Sequence, residues 1–302
     1  MTQLLYRLIY RPMLRQLLVS GLLTITTLNL SPVAAMASTD KLQTRNHSVA
    51  AEIGYLKETQ NQLLTDLKIT ITRNNKRVVQ KMQLPYKQLP NYDPEYDKKF
   101  YGISEDVKVV DLDGNGEPEV VVDIQTPGTH CCSATFIYSY NPEKRNYNVM
   151  SHFWGNYTSG YNLSEVSGKN DDRNLLDLNG DGILEFLARD DRFRGEFSAY
   201  GASFAPVQVW SFQNGKLIDV TERFPKLISQ NVDDLWAMYR KVRLEAGPEP
   251  AKGAMAAYIG AKYLIGQGRD GIKRLSTQYP DKKGKNFTNE LRVFLQKTGY
   301  LR

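Results

Sequence analysis

The chain has 302 residues, with 39 lysines and arginines against 33 aspartates and glutamates, a formal net charge of +6 and a high tyrosine count of 18. So mild a basic balance argues against nucleic acid as a partner, which usually demands a clustered basic face. The length admits a sizeable core in one or two domains.

The opening stretch carries Arg7, Arg11 and Arg15 and no acid, and an apolar run over 17–30 leads to Pro32 and Ala35-Met36-Ala37. A charged start, an apolar middle and an A-x-A site read as a signal peptide over 1–37, cleaved before Ser38. Loss of those three arginines lowers the net charge from +6 to +3. The mature chain, 38–302, is expected outside the cytoplasm, periplasmic or extracellular, without stable membrane insertion. The competing reading is an uncleaved anchor, against which stand the shortness of the run and its threonines and asparagines.

Residues 38–48 are polar and read as unstructured, and residues 49–56 as a strand. Residues 67–72 alternate apolar and polar, and Arg73-Asn74-Asn75-Lys76 turns them into 78–84, which makes a hairpin. Pro85, Pro90 and Pro94 mark 85–105 as an irregular surface loop. β-Branched or aromatic runs follow at 107–110, 120–124, 134–140 and 147–152, the last two joined by Asn141-Pro142-Glu143-Lys144. A stretch rich in glycine and aromatics occupies 153–161. Residues 186–189 read as a strand, and 206–212 with 217–220 as a hairpin around Asn214-Gly215.

At Pro225 the period changes. Residues 227–245 repeat apolar positions at helical spacing and end at Gly247-Pro248-Glu249-Pro250. Helices are predicted over 251–265, 270–278 and 287–297, the last with Thr288 and Asn289 as N-cap candidates. A β portion over 38–224 therefore precedes a helical portion over 225–302, whose expected role is to cap an open edge.

Two stretches within the β portion carry the chemistry. Residues 111–119 read D-L-D-G-N-G-E-P-E, and residues 177–185 repeat the pattern as D-L-N-G-D-G-I-L-E. Asp111, Asp113, Asn115 and Glu119 in the first, and Asp177, Asn179, Asp181 and Glu185 in the second, occupy loop positions one, three, five and nine. Such alternation aims several oxygens at one point, as a hard cation like Ca²⁺ requires. The intervening glycines permit a tight turn. A helical EF-hand would need a bidentate glutamate at position twelve, where Val122 and Ala188 stand, and the flanks are strands. Two polar glycine turns without metal are the alternative.

Strand-flanked acidic loops at this interval resemble the FG-GAP/VCBS type of repeat found in integrin-like β-propellers. The resemblance implies Ca²⁺ held by positions one, three, five and nine and by the carbonyl of position seven, here Glu117 and Ile183. It also implies a mainly β fold of propeller-blade-like antiparallel repeats. The spacing of the two loops leaves room for about three such repeats, fewer than a closed ring of four to eight blades, ahead of the C-terminal helical part.

The two cysteines, Cys131 and Cys132, are adjacent and follow His130. In an oxidising compartment they read as a vicinal disulfide, with free thiols or a redox or metal role as alternatives. Three groups are too few for a closed zinc site. Asp190 and Asp191 lie among Arg189, Arg192 and Arg194, where surface ion pairing is the plain reading. Trp154, Tyr157 and Tyr161 could stack on a sugar ring or plug the core. No nucleophile elbow, zincin motif or phosphate loop occurs. The reading is an exported calcium-binding β-repeat module that binds or scaffolds a protein or glycan. The alternatives are a metal-dependent hydrolase using Asp190, Asp191 or His130 and a redox switch at Cys131 and Cys132.

Overall fold

The computed structural model describes residues 38–46, 48–57, 64–83, 107–125, 133–155 and 175–301. The expected signal segment, the loop over 85–105, His130, Cys131, Cys132, Tyr157 and Tyr161 lie outside them, and with them the disulfide expectation.

Among the described residues, twelve strands form three antiparallel four-stranded sheets, each a simple meander. The first holds β1 (Ser38–Asn46), β2 (Val49–Lys57), β3 (Leu64–Arg73) and β4 (Lys76–Gln83). The second holds β5 (Lys108–Val110), β6 (Glu119–Gln125), β7 (Ser133–Asn141) and β8 (Asn146–Gly155). The third holds β9 (Leu175–Leu176), β10 (Glu185–Arg189), β11 (Val207–Gln213) and β12 (Lys216–Asp219). Both asparagine turns close hairpins with positive φ at the two central residues, Asn74 (49°) and Asn75 (62°), then Asn214 (52°) and Gly215 (77°). That twist matches the flanking strands.

The period of two explains how the sheets stack. In β6, Val120, Val122 and Ile124 face one way and meet Ile53, Ile69 and Ile71 of the first sheet. Val121 faces the other way and joins Leu112, Ile137 and Trp154 against Phe186, Ala188 and Phe212 of the third. A sheet covered on both faces needs no polar alternation, hence the continuous valines. Each fully buried valine stabilises by roughly 1.5–3 kcal/mol relative to exposure. The third sheet repeats the logic, with Leu187 and Val209 turned onto Ile228 of the first helix. The stack is open, as the three-repeat arithmetic anticipated, and ends on a helical layer.

That layer comprises α1 (Pro225–Ala246), α2 (Lys252–Leu264), α3 (Gly268–Gln278) and α4 (Lys282–Lys297). Pro225 opens α1, where its missing N–H costs nothing, and Gly247 stops it. Almost every side chain of α2 is buried, which its alanine-rich sequence permits. The stretch between β10 and β11 coils through short 3₁₀ turns, the first at Asp191–Phe193. It inserts Phe193 into the helical core edge-on to Phe294 (4.8 Å) and Tyr300 (5.5 Å). Sheets and helices thus share a core, and Met36–Arg302 forms one compact unit.

Two expectations need correction. Residues 38–46 are a strand, not an unstructured lead, and β1 pairs with β2 along its whole length. Its outward residues Lys41 and Gln43 reach Glu52 across the ladder (3.0 and 3.3 Å), and that polarity at a sheet edge hid the strand. The N-cap of α4 is Asp281, whose carboxylate accepts from the Gly284 N–H at 2.7 Å. Thr288 lies inside the helix and donates to the Gly284 carbonyl, with Asn289 next to it in the same helix.

Candidate functional site

The two acidic loops join corresponding strands, β5 to β6 and β9 to β10. In the first, Asp111 accepts from the N–H groups of Asn115 (3.1 Å) and Gly116 (2.8 Å), and Asn115 Oδ1 accepts from Glu117 N (2.7 Å). In the second, Asp177 accepts from Gly180 (2.6 Å), Asp181 (3.1 Å) and Gly182 (3.0 Å), and Asp181 from Ile183 (2.9 Å). Glu119 and Glu185 each reach back to the N–H at the second loop position, Leu112 (3.0 Å) and Leu178 (3.1 Å). Gly114, Gly116, Gly180 and Gly182 all take φ between 73° and 86°, which glycine alone adopts without strain. The loops touch: the Leu184 N–H donates to the Leu112 carbonyl at 3.3 Å.

Their electrostatics differ. In the first loop, carboxylate oxygens of Asp111, Asp113 and Glu119 lie within 4.8 Å of one another, the one such convergence among the described residues. Burial pushes Glu119 up to about 7, Asp113 and Asp111 add to the rise, and the Leu112 N–H opposes it. In the second, the Gly182 N–H and its neighbours hold Asp177 below the usual carboxylate range, while burial raises Glu185. The oxygens of Asp111, Asp113, Asn115 and Glu119 are of the hard type that suits Ca²⁺. The Glu117 side chain points elsewhere, into a paired hydrogen bond with Arg73 of the first sheet (Nη2 to Oε2, 2.6 Å). Arg73 in turn lies 4.2 Å from the Tyr140 ring centroid.

A second feature, which the sequence alone did not show, is a cavity of about 980 Å³. It opens where β8, the β10–β11 ladder and the chain's last turn meet, and among the described residues neither loop contributes to its wall. Its aromatic side is His152, Trp154 and Trp210, with His152 4.1 Å from the Trp154 ring and 4.8 Å from the Trp210 ring. Phe186 backs Trp154 at 5.7 Å. The Trp154 N–H donates to Thr135 Oγ1 (2.7 Å), whose hydroxyl bonds Asp123, so a polar relay across the second sheet fixes that indole. Burial draws His152 down to about 4, so it is neutral at pH 7.

The charged side of the cavity contains Asp190 and Asp191. Asp190, 1% exposed, accepts from Arg192 Nε (2.8 Å) and Nη2 (2.6 Å) and from the Tyr300 hydroxyl (2.9 Å). Arg192 also donates to the Thr298 carbonyl (3.0 Å), which ties the chain's end to the third sheet. Asp191 accepts from Arg194 Nε at 2.7 Å. The ion pairing read from the sequence is present, but not at the surface where it was expected: Asp190 is buried, and so is the Arg194 side chain. Gly155 (φ 68°) sits against Asp191 so closely that a Cβ there would lie 2.0 Å from its carboxyl carbon. Among the described residues no helix is long and apolar enough to cross a membrane.

The comparisons overturn one expectation. The match to a known family is the "sll0997 C-terminal domain", over residues 228–299, and no FG-GAP/VCBS match accompanies it. The resemblance drawn from the loops is therefore a local likeness of turn chemistry: short acidic glycine turns between strands arise wherever a tight loop collects oxygens. No solved structure matches the chain. It is 28% identical over 185 residues to the "Probable thylakoid lumen protein sll0997" of Synechocystis sp., an alignment that covers 61% of this chain and 50% of that protein. The chain thus spans about half the length of a relative named for a thylakoid lumen, and what it shares with the matched family lies in its helices.

Proposed function

We propose that this chain is an exported binding protein whose ligand sits in the cavity between the third sheet and the chain's C-terminal turn. In this reading, calcium clasps the loops for stability rather than chemistry. The observation that carries it is the state of the cavity's ionisable groups. Asp190 and Asp191 are each engaged by an arginine, and His152, packed against two tryptophans, is drawn by burial down to about 4, too weak a base for efficient proton transfer at pH 7. A hydrolase needs an acid and a base free to exchange protons, and it needs them beside its metal. Here the two acids that the sequence offered for catalysis, Asp190 and Asp191, are ion-paired, and the loops lie outside the cavity wall.

The relative's lumenal name and the charged-then-apolar start of the chain support export into a periplasmic or lumenal space. For calcium, the support is the convergence of Asp111, Asp113 and Glu119 around one point. A thermal-shift screen of small molecules on the mature protein tests the binding reading. The expected result is stabilisation by a defined ligand class that is lost in Trp210→Ala. Hydrolysis of a chromogenic glycoside or phosphoester that disappears in Asp190→Asn would overturn it in favour of catalysis.

A further inference from the structure

We infer that the cavity takes an uncharged polyhydroxylated ring, a saccharide of more than one unit, stacked on Trp210. The inference rests on the binding reading above and supplies its ligand class.

Three properties of the wall select this chemistry. The first is charge balance. Arg189, Arg192 and Arg223 share the wall with Asp190, Asp191 and two further carboxylates, Asp219 and Glu222, so neither sign dominates. A polyanion such as a phosphorylated ligand would meet at least as many carboxylates as guanidiniums. A hydroxyl both donates and accepts, so it can satisfy either kind of group wherever it falls.

The second is the aromatic wall. Trp210 and His152 are partly exposed, their rings in contact, and behind them Trp154 is buried against Phe186 and bonded to Thr135. Rings backed in this way form a rigid platform that loses little entropy on binding. The C–H face of a sugar ring offers apolar area to such a platform while its rim keeps its hydroxyls. Gln208, on the same face of β11 as Trp210, adds a planar amide that both donates and accepts. A fatty chain would use the aromatic wall and leave the charged wall unsatisfied.

The third is size. At about 980 Å³ the cavity stands at the top of the roughly 300–1,000 Å³ range of ligand pockets. One ring would leave most of it empty.

The experiment uses the mature chain in calcium, with tryptophan fluorescence and calorimetry. The probes are maltotriose, cellotriose and chitotriose, with inositol hexakisphosphate and oleate as counter-probes. The expected result is saturable binding of at least one trisaccharide. Trp210→Ala should weaken it about tenfold, the equivalent of one stacking contact, and Trp210→Phe should retain most of it. Gln208→Ala, which leaves the platform intact, should weaken it without lowering the melting temperature. That variant keeps the test valid if Trp210→Ala unfolds. No trisaccharide binding at millimolar concentration overturns the inference. Trp210-dependent binding of a counter-probe instead overturns the saccharide class and leaves the binding reading standing. Silence from every probe and from the small-molecule screen overturns both.

Discussion

The loops and the cavity both gather carboxylates, and they neutralise them in opposite ways. In the loops, Asp111 and Asp177 are met by backbone N–H groups, which supply partial charge but leave each loop with a net negative charge. In the cavity, Asp190 and Asp191 are met by guanidinium groups, and the charge is cancelled on the spot. A cation therefore has more to gain at the loops than at Asp190 and Asp191. The contrast teaches that an acidic cluster is read by what already balances it, not by how many acids it holds.

The largest effect that could break this contrast is the loss of Asp190. Asp190→Ala strips Arg192 and the Tyr300 hydroxyl of a buried acceptor and should cost about 3 kcal/mol, equally in calcium and in chelator. Chemical denaturation in both conditions measures it, and a calcium-dependent loss would mean that the cavity acids also serve a cation. Next in size is calcium itself. At free calcium about one hundred times the dissociation constant, one site adds about 2.7 kcal/mol, and less where millimolar calcium fails to saturate it. Asp111→Ala should remove more of the calcium-dependent rise in melting temperature than Asp177→Ala, because three carboxylates converge in the first loop. Equal losses would erase the distinction between the loops, and a wild type indifferent to calcium would end the calcium proposal.

Acid should act at the cavity through His152. Its folded pKa of about 4 lies below the ordinary value of 6.5, so the unfolded chain takes up the proton first. Stability from this group is complete above pH 6.5, falls as pH drops towards 4 and levels off below that. The total is about 2 kcal/mol after allowance for partial exposure. The difference between wild type and His152→Asn, followed from pH 7 to about 4.5, should show that slope, and a flat difference would place the imidazole in contact with water. The smallest effect is Arg73→Met. Its ion pair with Glu117 is partly exposed and should contribute about 1 kcal/mol or less without altering the calcium shift. A lost calcium shift would make Arg73 part of the loop's machinery.

Much of this is legible from residue order. Alternation and turn chemistry give the hairpins, and the valines of β6 announce a strand, though not that both its faces are covered. The loops can be read because their oxygen-bearing side chains sit close together along the chain. The cavity cannot, because His152, Asp190, Trp210 and Tyr300 come from four separate stretches that only the stacking of sheets brings together. Trp154 reads in sequence as a platform or a plug, and it serves as the buried backing of the cavity wall. Trp210 carries a faint signal, an aromatic at an alternating position of a strand, indistinguishable from a core residue. β1 is hidden because an edge strand is held by backbone bonds that its polar side chains do not advertise.

The single backbone bond between the loops, from Leu184 to Leu112, bears on the order of assembly. Each sheet is a meander whose strands pair with their immediate neighbours in sequence, so each closes only short loops and can form early. The loop-to-loop bond joins two different sheets, and the bond from Tyr300 to Asp190 reaches from the chain's end back to the third sheet. Both close far longer stretches of chain than any hairpin does, so their closure costs more chain entropy and is favoured once the sheets they join have formed. The expected order is sheets first and docking second, with the two loops lying where the second and third sheets meet.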